Sequence, residues 1–174
     1  MNSLAVKFEL NIKELDDPDS SLYAFYRNMK GEKGSYRVSP LGALMVLLAK
    51  GTAQEKAALL YQLMPSSDPQ HDAGIRSVSE VRELLETLVN MACLWLPKLS
   101  QTETLSDPGT LPTEKVNMLL ESASNKKEAA VEDLLSSLMK GKEGVSQADF
   151  VMQLSTSKLK VLTASYDLRK FVLG

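Results

Sequence analysis

The chain has 174 residues, 44% of them hydrophobic and 24% charged, and a formal net charge of −2. That length suits a single domain spanning residues 1–174, large enough to bury a core without disulfide staples. The slightly acidic balance argues against a dedicated nucleic-acid binder, no apolar run approaches the roughly 18 residues of a membrane span, and the lone cysteine, Cys93, excludes an internal disulfide.

Leu4, Val6, Phe8, Leu10 and Ile12 alternate with Ala5, Lys7, Glu9 and Asn11, a period of two that predicts a half-buried strand over 4–12. Asp16, Asp17, Pro18, Asp19 and Ser20 break the pattern and can cap a helix after them. Leu22, Phe25, Tyr26 and Met29 then lie at helical spacing, and Gly31–Gly34 reads as a charged turn.

The stretch Arg37–Pro65 is the organising one. Ser39 is placed to cap a helix and Pro40 to occupy its first position, where a missing N–H costs nothing. Leu41, Leu44, Met45, Leu47 and Leu48 cover most of that helix, and a helix apolar nearly all round reads as a core helix. Gly51 suits its left-handed end. Thr52 and Glu55 have capping-box spacing for a second helix, with Ala58, Leu59, Tyr61, Leu63 and Met64 on its apolar face and Pro65 as its stop. Leu44, Leu47, Leu48, Leu59 and Leu63 are expected in one core; the competing reading makes Leu44–Leu48 an exposed docking helix.

A polar loop holding His71 comes next, then a second capping box at Ser77 and Glu80. Val81, Leu84, Leu85, Leu88, Ala92 and Trp95 recur at steps of three and four, which predicts one helix to Pro97. Residues Pro97–Pro112, with three prolines and several Ser and Thr, read as a flexible loop. A helix is expected over Thr113–Ala123, and another, capped by Asn125 and Glu128, ending at Gly141 and Gly144. Residues 147–154 fit a strand or a helix equally well, Leu159 and Val161 suggest a short strand, and the end reads as helical. The fold class expected is α+β, mostly helical with a small β component; the alternative is an all-α bundle with an N-terminal edge strand.

The run Leu22–Pro65 resembles the start of a serpin domain. Tyr23, Phe25, Tyr26 and Arg27 sit like the family's first helix, and Ser39, Pro40 and Leu41 match its Ser-Pro-Leu-Ser motif, with Gly42 in place of the second serine and a shorter core helix. Residues Val161–Gly174 are similar to a late serpin strand followed by a Ser-Tyr-Asp-Leu helix start, so the likeness covers about a third of the chain. It implies that Met91–Leu96 is a sheet strand rather than helix. The family's reactive loop lies beyond the last stretch matched, so the resemblance implies a shortened, non-inhibitory protein acting through protein binding. The heparin-binding region of some serpins corresponds to Ser77–Asn90, where Arg76 and Arg82 face Glu80, Glu83 and Glu86, which disfavours a polyanion ligand.

No residue is assigned as catalytic, cofactor-binding or metal-ligating, and the chain is not expected to be an enzyme. His71 sits in a Pro- and Asp-rich loop with no glycine-flanked nucleophile serine elsewhere, so it reads as a solvated loop residue. One histidine and one cysteine give no zinc spacing. Asp16, Asp17 and Asp19 lack the glycine and closing glutamate of a calcium loop. Gly31, Lys33 and Gly34 do not make a phosphate loop. The pairs Lys126-Lys127, Lys140-Lys142 and Lys158-Lys160 are balanced by nearby acids and read as solvated faces.

The expected partner is a protein or a second copy, with no nucleic acid, membrane or metal; eight methionines offer an adaptable surface. A helical interaction module, viral or regulatory and unrelated to serpins, is the alternative, in which the 4–12 strand pairs with a partner. The N-terminus lacks the pattern of a signal peptide. An intracellular location is expected if Met1 is the native start, a secreted one if this is a processed serpin-like chain.

Overall fold

A computed structural model describes residues 17–31, 34–64, 74–99, 112–156 and 158–174. The expected strand at 4–12, Asp16, the Pro65 stop, His71 and residues 100–111 of the expected loop lie outside these. Among the described residues the fold is mostly helical with one small antiparallel sheet, in agreement with the expected α+β class, although its strands lie at 75–77 and 144–146, where the periodicity marks none.

Helix α1 (Ser21–Arg27) begins where the Ser20 hydroxyl accepts the Tyr23 N–H, and it buries Phe25. Met29, fully buried, comes after it, and Lys30 pairs with Tyr36 around a turn closed by the Gly31 N–H donating to the Ser35 carbonyl. Helix α2 (Val38–Leu48) then starts after Arg37, without a side-chain cap. Ser39 is therefore not the cap: it lies inside the first turn, and its buried hydroxyl finds no partner among the described residues. Pro40 is the third helical residue rather than the first, which it tolerates because the first four N–H groups of a helix are unbonded anyway. Nor does Gly51 end the helix, since Ala49 is the C-cap, in extended conformation.

Helix α3 (Ala53–Leu63) opens on the expected capping box. The Thr52 hydroxyl accepts the Glu55 N–H, while the Thr52 N–H and hydroxyl each donate to the Glu55 carboxylate at 2.9 Å and hold that carboxyl below its ordinary pKa. Strand β1 (Ile75–Ser77) leads into α4 (Val78–Asn90) through the second predicted box, Ser77 with Glu80. Residues Met91–Trp95 continue as one wide π turn, the Leu96 N–H reaching back to the Met91 carbonyl, and α5 (Leu96–Leu99) completes the run. Pro97 has no N–H to offer the carbonyl of Cys93, and the wider turn absorbs the mismatch. Residues 91–96, which the periodicity leaves open between helix and the strand that the serpin likeness implies, are thus helical, and residues 97–99 of the expected loop are helical too.

Thr113–Met139 form one continuous helix, α6, so Asn125 and Glu128 are interior residues and cap nothing. Lys140, at φ 49°, ends it in the left-handed conformation, with Gly141 next. Strand β2 (Gly144–Ser146) pairs with β1, Arg76 opposite Val145, and runs into α7 (Gln147–Thr156), which resolves the ambiguous 147–154 as helix. The short strand expected at 159–161 is instead a 3₁₀ turn, Lys158–Thr163, before α8 (Ser165–Leu173).

Two helix–strand–helix units therefore meet through their strands, α3–β1–α4 and α6–β2–α7. The first helix of each unit packs on the second of the other, α3 on α7 and α6 on α4, while α2 lies against α3 and α4. Phe25, Leu47, Leu60, Leu84, Leu88, Leu134, Phe150, Leu162 and Leu168 belong to one contiguous core.

Candidate interaction surface

Among the described residues the side chains capable of chemistry are occupied or dispersed. Cys93 is 2% exposed, and burial pushes its thiol up to about 11, so it carries no thiolate at neutral pH. The Asp17 carboxylate accepts the Asp19 N–H at 3.0 Å, a turn-stabilising bond ahead of the Ser20 cap. Between α6 and β2 lie Lys140, Gly141, Lys142 and Glu143, which offer no run of oxygen ligands for a cation, and Lys142 pairs with Asp149 at 3.2 Å. In the other unit the Glu80 carboxylate accepts the Ser77 N–H at 2.8 Å and faces Arg76 at 4.0 Å. No group of three or more His, Cys, Asp or Glu suited to a metal ion occurs among the described residues.

Several basic residues are similarly committed. Arg82 bonds Glu132 at 2.6 Å and approaches Glu128 at 3.5 Å, Lys158 pairs with Asp133 at 3.1 Å, and Lys126 donates to the Leu173 carbonyl. A groove of about 400 Å³ between α1 and α5 is lined by Tyr23, Arg27, Trp95 and Lys98, and it brings together no acid–base or nucleophile–base pair. Among the described residues no helix is long and apolar enough to cross a membrane.

The remaining candidate is apolar and faces outward. Helix α2 buries Pro40, Ala43, Val46 and Leu47 on one face. Its opposite face presents Val38 at 75% exposure, Met45 at 70% and Leu48 at 59%, with Leu41 half-buried between them. The spacing 38, 41, 45, 48 is a single helical stripe. Leu48 and Leu59, expected in the core, are therefore surface residues, Leu59 being 52% exposed. Leu47 is buried as expected, and Leu44 and Leu63 are half-buried against the core. The reason lies in how α2 packs. It rests on its neighbours through one face only, and eleven residues without a single charge leave an apolar outer face whichever way the helix turns. The outer face of α4, by contrast, carries the exposed Glu83 and Glu86, and the exposed apolar residues of the other helices, such as Met118, Met152 and Tyr166, stand singly.

Gly42 sets how closely α3 lies beside this helix. A Cβ built on Gly42 would stand 2.3 Å from Leu63 Cδ2, so the missing side chain is what admits Leu63. The stripe is bounded by two exposed basic residues, Arg37 before the helix and Lys50 just after it. All-round apolarity is the signature of burial, so the sequence ranks a core helix above an exposed docking helix at 44–48; the signal for the second is a charge-free helix bracketed by cations.

No protein-family description, curated protein or solved structure matches this chain.

Proposed function

We propose that this chain is a non-enzymatic helical interaction module that binds another protein through the outer face of α2. The observation that carries this reading is the exposed stripe Val38–Leu41–Met45–Leu48, apolar over the full length of a helix that has no charge of its own. Apolar residues at i, i+3, i+7 and i+10 form the anchor pattern of helix-mediated recognition. Methionine within it suits an adaptable contact. The helical character of the chain, including residues 91–96, favours this over the shortened serpin-like reading, which rests on the two sequence stretches and shares the expectation of protein binding without protease inhibition.

Self-association through this face alone is disfavoured by size. Four aliphatic side chains bury about 60–120 Å² apiece, below the roughly 800 Å² per partner of a stable interface. The face suits one docked element and a modest affinity.

Photo-crosslinking tests the proposal. A photoreactive amino acid at position 48 is expected to label a partner protein in the native host, and the same group at position 140, on an exposed turn away from the stripe, is not. Equal labelling from both positions, or none from position 48, overturns it.

A further inference from the structure

The ends of α2 indicate what the stripe receives. Arg37 occupies the N-cap, the position where an acid or a hydroxyl would stabilise a helix and a cation works against the macrodipole. It makes no side-chain cap bond there; its guanidinium instead donates to the Asn28 carbonyl at 3.2 Å, which holds the cation at the mouth of the helix. A residue placed against the local rule is where a functional constraint is expected. Lys50 lies at the other end, exposed, just past the Ala49 cap. The apolar stripe of four residues, on a helix of eleven residues about 16 Å long, thus runs between two cations.

Resting on the protein-binding reading above, we infer that the partner element is an amphipathic helix of about three turns, apolar on the docked side and acidic at both ends. Its apolar face covers Val38, Leu41, Met45 and Leu48, and its terminal carboxylates meet Arg37 and Lys50. Charge of opposite sign at each end fixes the register and raises the association rate. A lipid surface fits less well: membrane-surface helices pair an apolar face bearing large anchors with a Lys/Arg-rich polar face, whereas this stripe holds no aromatic residue and the far side of α2 is buried in the core.

The test uses the full chain and three probes. The first is a fluorescein-labelled synthetic peptide of three helical turns with leucines along one face and glutamates at both ends. The second is the same peptide with lysines at the ends. The third is a set of vesicles containing phosphatidylserine. Fluorescence anisotropy is expected to show the acidic-ended peptide binding roughly tenfold or more tighter than the lysine-ended one, with the difference shrinking as salt is raised. Met45→Glu and Leu48→Glu, at exposed positions that leave the fold intact by circular dichroism, are expected to abolish binding. Lys50→Glu is expected to narrow or reverse the preference between the peptides.

Equal affinity for the two peptides, no detectable binding of the acidic one, or binding indifferent to Met45→Glu and Leu48→Glu overturns the inference. Vesicle binding that depends on Met45 and Leu48, without peptide binding, overturns it in favour of a lipid surface. If position 48 still crosslinks a protein while the peptides bind equally, the partner's charge pattern is wrong and the protein-binding reading stands. If position 48 crosslinks nothing, that reading fails by itself.

Discussion

The Tyr61 hydroxyl lies 3.1 Å from the carbonyl oxygen of Val145, joining α3 to β2 across 84 residues of chain. The same hydroxyl lies 2.9 Å from the Gly74 carbonyl, so its proton serves the approaches to both short strands. The Tyr61 ring packs against Phe150 at 5.6 Å and carries the Arg76 guanidinium over its face at 5.5 Å. Two strands of three residues are too short to hold two helical units in register by themselves; this tyrosine ties β2 to the residue that precedes β1. Tyr61→Phe keeps the ring and removes the donor, leaving a buried carbonyl underbonded. The expected loss is about 1–3 kcal/mol, read from urea denaturation, and a variant as stable as the parent refutes the role.

Neighbouring leucines on α2 should behave oppositely. Leu47 is 4% exposed and belongs to the core. Leu47→Ala removes transfer energy and leaves a cavity, a cost of about 2–5 kcal/mol. Leu48 points outward, and Leu48→Ala should fall within about 0.5 kcal/mol of the parent. Thermal melts of the two variants decide it; a large loss in Leu48→Ala would mean that the stripe is covered within the folded chain.

The turn between α2 and α3 depends on backbone freedom. Gly51 has φ +152°, a region that residues with a side chain rarely adopt. Gly51→Val should therefore cost about 1–3 kcal/mol although the position is exposed and faces open space apart from Glu55 and Lys56. A melt unchanged by that substitution would show that the turn relaxes into an ordinary conformation.

Local signals are legible in the sequence where their chemistry is self-contained. Thr52 with Glu55 and Ser77 with Glu80 each form a complete capping box, because both partners lie within one turn. Burial along α6 is harder to read. Its inward residues include Val116, Ala123 and Ala130, seven apart, and two alanines give too weak a hydrophobic signal to carry a helix through the polar run Ser124–Glu128. Asn125 and Glu128 then have the look of a cap, a local preference that tertiary packing overrides. The strand expected at Leu159–Val161 fails for a related reason. Leu159, Leu162 and Thr163 are all buried, a spacing set by the turn into α8 and by Lys56 donating to the Thr163 carbonyl, a contact 107 residues distant in sequence. The outer face of α2 is hidden most completely, since its composition is that of a core helix and only the absence of a covering element among the described residues distinguishes the two.

Cys93 gives a prediction with a defined pH window. Burial raises its thiol from an ordinary 9.0 to about 11, with the nearby Arg169 charge acting weakly the other way. The folded chain thus holds this proton at a pH where the unfolded chain has released it. More protons bound in the folded state mean that stability falls as pH rises. The contribution is complete below pH 9 and is lost progressively between about 9 and 11. Cys93→Ala removes this linkage, so its stability relative to the parent should improve across that window and be flat below it. The thiol should also resist alkylation by iodoacetamide at pH 8 in the native chain and react once urea unfolds it, since the reactive species is the thiolate and the side chain is almost wholly enclosed. Rapid labelling of the native protein at pH 8 would place Cys93 at an accessible, activated position and would reopen the question of chemistry at this residue.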